Sequence, residues 1–168
     1  METHIAFISV GSNMGDRNAN CRIGIAAVGA SDGVVLTGIS RFYETEPVDF
    51  IDQDWFVNAA VRIETTLSPV DLLDTLKRIE KTAGRKESAL RFGPRVLDLD
   101  IILFDDRVMN TDRLVIPHPR MHERRFVLTP VCDIDPFVTH PVLNRSVQAI
   151  LSDLSGDIHQ RVVEHGVH

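Results

Sequence analysis

The chain has 168 residues, 43% of them hydrophobic, which suits one domain over residues 1–168 with a core of ordinary size. A net charge of -6 and a pI near 5.6 exclude a surface built to bind polyanions in general, so phosphate chemistry must use a local patch and no nucleic-acid partner is expected. Cys21 and Cys132 show neither CxxC nor zinc-finger spacing, and the sequence carries neither a signal peptide nor a bilayer-length apolar run. These features predict buried thiols, no structural metal or disulfide, no membrane partner, and a soluble cytoplasmic protein.

In chain order, Ile5 to Val10 reads as a buried strand ending at Gly11-Ser12-Asn13. Asp16 then caps a helix whose inner side is expected to carry Ala19, Ile23, Ala26, Ala27 and Ala30. Val34 to Tyr43 is β-rich. Phe56 to Thr65 alternates, with Ala59, Val61 and Ile63 facing one way and Asn58, Arg62 and Glu64 the other. The connection from Glu44 to Trp55 is too long for a tight hairpin, a length typical of binding loops and lids. Ser68-Pro69-Val70-Asp71 combines a cap, a proline at the first helical position and an early acid. The helix that follows carries a stripe of Leu73, Leu76, Ile79 and Ala83 and stops at Gly84. A polar loop from Arg85 to Arg95 leads into a strand from Val96 to Phe104. Short turns and strands are expected from Asp105 to Pro119, a helix from Met121 to Val131, and a last short helix from Val147 to Leu154.

The stretch RFGPRVLDLDII concentrates the chemistry. On a strand, Asp98 and Asp100 share a face at about 7 Å, together with Ile102 and Phe104, while Leu97, Leu99, Ile101 and Leu103 share the other. Two carboxylates that close repel, so they belong either to an exposed strand end or to a cation. Mg²⁺ fits such a pair, because it prefers oxygen and is commonly completed by substrate phosphates. Arg91 and Arg95 flank Gly93-Pro94 directly before the acids, where guanidinium groups would meet polyphosphate. Nine of the eighteen Lys and Arg residues fall between Arg85 and Arg125, against seven acids. No Walker A or GxGxxG sequence is present, so metal and arginine would have to meet the phosphate charge. In IPHPRMHERRF, Pro119 argues against a helical zinc pair of His118 and His122, leaving phosphate contacts by His118, Arg120 or Arg124, or surface salt bridges.

The ordered set GSN, FYETEP, DQDWFVNAAV, RFGPRVLDLDII and PHPRMHERRFVLTP resembles the 6-hydroxymethyl-7,8-dihydropterin pyrophosphokinase family of folate biosynthesis, over about residues 5–152. The resemblance implies an α+β fold with a ferredoxin-like core, an antiparallel sheet with helices on both faces in three αβα layers. It implies pyrophosphoryl transfer from ATP to the pterin hydroxymethyl group, with release of AMP and two Mg²⁺ ions as cofactor. By motif, it gives Asp98 and Asp100 as metal ligands, and these with Arg85 and Arg95 as catalytic residues. Glu80, Arg85, Arg91, Arg95, Ile101, Arg113, His118 and Arg124 would contact ATP. Thr45, Pro47, Val48, Phe56, Asn58, Asp98 and Phe126 would hold the pterin, with Phe56 and Phe126 stacking on its ring. Loops 44–55 and 85–95 would act as lids, and the protein would work as a monomer. Glu87, Phe92 and Glu46 depart from the family pattern. Two other readings are a Mg²⁺-dependent nucleotidyltransferase, which the distance of Gly11-Ser12 from Asp98 opposes, and a pterin-binding module without catalysis.

Overall fold

The computed structural model describes residues 2–46, 54–84, 96–154 and 162–164. Its strands are β1 (His4–Ser12), β2 (Val34–Ile39), β3 (Tyr43–Thr45), β4 (Phe56–Thr65), β5 (Asp98–Phe104), β6 (Met109–Asn110), β7 (Val115–Ile116), β8 (Thr139–His140), β9 (Arg145–Ser146) and β10 (Val162–Glu164). The helices are α1 (Arg17–Gly29), α2 (Pro69–Thr82), α3 (Arg125–Ile134) and α4 (Val147–Asp153), with a 3₁₀ turn at Met121–Glu123. Among the described residues, β10-β3-β4-β1-β5 form one sheet, with β2 also paired to β4, and every pairing in it is antiparallel. The succession β1-α1-β2-β4-α2-β5, laid out as β5-β1-β4-β2, is the ferredoxin-like arrangement that the family resemblance implies.

Two cores lie on opposite faces of this sheet. Val10, Val61, Leu97, Leu99 and Ile101 pack with Cys21, Ile25, Leu72 and Leu76 of α1 and α2. Phe7, Ala60, Ile102 and Leu103 pack with Val127, Leu128 and Val131 of α3 and with Val147 and Ile150 of α4. The layers are therefore α/β/α. Capping fixes both long helices at their starts: the Asp16 carboxylate accepts the Ala19 N–H at 3.1 Å, and the Ser68 hydroxyl accepts that of Asp71 at 3.2 Å, with Pro69 at the first turn.

Several expectations need correction. The buried face of α1 is Cys21, Gly24, Ile25 and Val28, and Ile23 is exposed. A Cβ on Gly24 would lie 2.7 Å from Leu97, so the helix turns its bare glycine inward to approach the sheet. In α2, Leu72 and Leu76 are fully buried, while Leu73, Ile79 and Ala83 pack at the margin. The register between β1 and β5 slips after Phe7, so Leu103 joins the second core and Phe104 the first, the reverse of strict alternation. The stretch from Val34 to Tyr43 breaks after Ile39 into β2 and β3, and the helix expected from Met121 is a 3₁₀ turn followed by α3 from Arg125. Cys21 is buried, with its thiol pushed up to about 12 by burial; Cys132 is only half-buried, and burial likewise pushes it up, to about 11.

Candidate active site

Registers across the sheet assemble the site. Tyr43 pairs with Asn58, Asn58 with Gly11, and Gly11 with Asp98; one row on, Ala60 pairs with Ser9 and Ser9 with Asp100. Paired residues share a face, so Asn58, Asp98 and Asp100 rise from one floor with the small residues Gly11, Ser9 and Ala60 between them. This is the α3 side. Phe56 belongs to the same face two residues before Asn58, and Phe126 in the first turn of α3 packs against the second core. The Arg124 guanidinium, from the residue that precedes α3, lies over the Phe126 ring at 5.3 Å. The alternation predicted for Asn58 thus places it beside the carboxylates.

Gly11 is the floor residue that sequence reasoning passed over. A Cβ there would stand 2.5 Å from Asn58 Oδ1, and the Asn58 amide donates to Thr45 Oγ1, so three residues are locked together. In Gly11→Ala the Asn58 side chain must turn away. The expected outcome is a rise of about tenfold in pterin KM with a stability change under about 2 kcal/mol, checked by steady-state kinetics beside thermal melting.

Negative charge converges on β5. Asp98 and Asp100 are each partly exposed at the rim, and the carboxylate of Glu80, 1% exposed, comes from α2 to the edge of that strand, the last of the sheet among the described residues. Glu80 Oε2 accepts the Leu99 N–H at 2.7 Å, supplying the partner a further strand would give, and Glu80 Oε1 lies 3.4 Å from Lys77 Nζ. Burial, then Asp98 and Glu80, push the Asp100 carboxyl up to about 7, against the pull of Lys77 and Arg124. Such a pair has an excess of oxygen donors and charge, which a hard divalent cation would relieve; the residues present fit Mg²⁺ in that sense.

Beyond β7 the chain returns along β5, where the His118 N–H donates to the Ile102 carbonyl at 3.0 Å. His118 Nδ1 accepts the Arg120 N–H at 3.2 Å, leaving the ring proton on Nε2. Burial, with Arg124 and Arg120, lowers its pKa to about 4, so the ring is a neutral donor at physiological pH. Arg113 sits farther out, ion-paired with Asp74 of α2, and the Ile101 side chain is buried in the first core, so only its main chain could meet a ligand. Arg85, Arg91, Arg95, Pro47 and Val48, with Glu87 and Phe92 and most of both proposed lids, lie outside the described residues.

The profile of the 7,8-dihydro-6-hydroxymethylpterin-pyrophosphokinase (HPPK) family matches residues 7–136. The chain belongs to this family. It is 45% identical over 131 residues to the 2-amino-4-hydroxy-6-hydroxymethyldihydropteridine pyrophosphokinase of Bacillus subtilis (strain 168), a match covering 78% of each chain. The enzyme of the same name from Methylorubrum extorquens is 40% identical over 131 residues, covering 78% of this chain and 82% of that one. A folate synthesis bifunctional protein of Arabidopsis thaliana is 46% identical over 127 residues, and there the match takes in only 26% of the relative. Among solved structures, a Plasmodium falciparum HPPK-DHPS superimposes with a TM-score of 0.72 at 17% identity, over 94% of this chain and 46% of that one, which is a likeness of fold. As an HPPK, the chain transfers a pyrophosphoryl group from ATP to hydroxymethyldihydropterin in folate biosynthesis.

Proposed function

We propose that the transfer occurs on the floor between Asn58 and Asp100, with the pterin at the Asn58 end and the ATP phosphates at the carboxylate end. The observation that carries this is the row Asn58–Gly11–Asp98, which sets an amide for a heterocycle edge on β4 and a carboxylate for a cation on β5, on one face and on either side of β1. Phe56 and Phe126 hold the flat ring, the Asn58 amide and Thr45 fix its edge, and Pro47 and Val48 complete the pocket. Asp98 faces both the pterin and the metal. Asp98 and Asp100 would hold Mg²⁺, two ions in the full complex, which when bound neutralises phosphate charge and orients the chain of phosphates. The Nε2–H of His118 and the guanidinium of Arg124 donate to phosphate oxygens, joined by Arg85, Arg91 and Arg95 and, at the nucleotide end, by Arg113 and the Ile101 main chain. Glu80 serves by holding Leu99, and through it both aspartates. Positioning and charge neutralisation are what such a transfer asks of a protein.

A cytoplasmic, monomeric single domain without nucleic-acid or membrane partners completes the proposal, supported by the acidic net charge of -6. No helix among the described residues is long and apolar enough to cross a membrane.

Mn²⁺ titration in the presence of a non-hydrolysable ATP analogue, followed by electron paramagnetic resonance, tests the metal assignment. Two ions per chain are expected for the wild type and fewer than one for Asp98→Asn/Asp100→Asn. Equal binding by both proteins would remove the aspartates from the metal site.

A further inference from the structure

We propose that Arg17 is a positioning residue for the pterin pocket, clamping the two chain stems that meet beneath it; this rests on the pocket proposed above. Arg17 opens α1, and the Asp16 cap fixes that end of the helix. Its guanidinium reaches both stems at once: Nη1 donates to the Trp55 carbonyl at 2.8 Å, and Nη2 donates to Glu44 Oε1 at 2.8 Å. Glu44 precedes Thr45, Trp55 precedes Phe56, and Thr45 and Phe56 are cross-strand partners. A planar fork held at two points therefore sets the separation of the pocket's polar wall from its stacking ring.

A second tie runs in parallel. The Asn13 amide, 3% exposed, donates to the Asp54 carbonyl at 3.2 Å, so the turn between β1 and α1 also grips the stem before Phe56. That turn is braced in its own right, because the Asn20 amide donates to the Met14 carbonyl at 2.7 Å and to the Ser12 hydroxyl at 3.3 Å. Clamp and floor are continuous, since Gly11 and Ser12 of the same strand pair with Asn58 and Val57. A ring sandwich and an amide contact need placement within about half an ångström, which stems joined only by a short ladder do not guarantee. Arg17 is about a quarter exposed, so its bonds are screened in part, but they add side-chain ties to two segments otherwise joined by the short β3–β4 ladder.

Arg17→Met is expected to raise pterin KM about tenfold, leaving ATP KM and kcat within about twofold of wild type. Arg17→Lys can reach one stem but not both, and should fall between. Pterin Kd, followed by the ligand's own fluorescence, should shift in parallel. A melting point that drops in both variants while pterin KM and Kd stay at wild-type values would overturn the clamp and leave Arg17 a structural residue. Equal losses for ATP and pterin would overturn it too. Wild-type protein that binds pterin without turnover would count against the functional reading alone, and the same Kd comparison would still decide the clamp.

Discussion

Asp100→Asn is expected to lose at least ~10³-fold in turnover and yet, free of metal at pH 8, to be more stable than wild type by about 1 kcal/mol. Both results have one origin. Burial and the neighbouring Asp98 and Glu80 raise the Asp100 carboxyl from an ordinary 3.8 to about 7. Between those values the folded chain holds more protons than the unfolded one, so this group's contribution to stability falls as pH rises from about 4 to about 7, and its full cost is present above 7. Asparagine keeps the shape without the charge. Solvent reaches Asp100 at the rim, which keeps the gain small. The stability advantage of the variant should shrink to a small remnant by pH 4, where the folded wild-type carboxyl is protonated and the unfolded one, at its ordinary 3.8, is taking up its proton. Calorimetry with a chelator at pH 4 and pH 8, beside a turnover assay, checks both parts. A variant less stable than wild type at pH 8 would mean that Asp100 is satisfied within the protein and needs no cation.

Glu80→Ala should destabilise by about 2–4 kcal/mol and lose activity along with the fold at the strand edge, whereas Glu80→Gln should retain most of the stability. The difference isolates the hydrogen bond. Glu80 Oε2 accepts the Leu99 N–H on the outer side of β5, where no further ladder exists among the described residues, so alanine leaves a buried donor unsatisfied. Glutamine can still accept with its amide oxygen, and it lowers the negative charge beside Asp100. Urea unfolding of the two variants gives the comparison. Equal losses would mean that the Lys77 ion pair matters more than the main-chain bond; no loss in either would leave Leu99 indifferent to its partner.

What the sequence made legible was local chemistry with a fixed period. Asp16, Ser68 and Pro69 announce helix starts because capping depends on a few adjacent residues, and Asn58 and the aspartates fall on their strand faces because the period of two is strict over short runs. Long-range packing was not legible. The bulge that exchanges Leu103 and Phe104 depends on how β1 lies beside β5, and the inward turn of Gly24 depends on Leu97, far along the chain. Gly11 shows in the sequence only as part of the GSN motif, and Arg17 carries no signal; the roles of both depend on their neighbours in space. Glu80 stood out only by resemblance, as an ATP contact, while its bond to Leu99 needs the docking of α2 against β5 to be seen. His118 was read as a phosphate contact, but its neutral state and ring tautomer follow from burial and the Arg120 N–H.

The most direct measurement is incubation of the pure protein with MgATP and 6-hydroxymethyl-7,8-dihydropterin, followed by chromatographic separation of the adenine nucleotides. Pterin-dependent formation of AMP without ADP is the predicted result, because the pyrophosphoryl group leaves as one unit. Formation of ADP, or of nucleotide products independent of pterin, would contradict it.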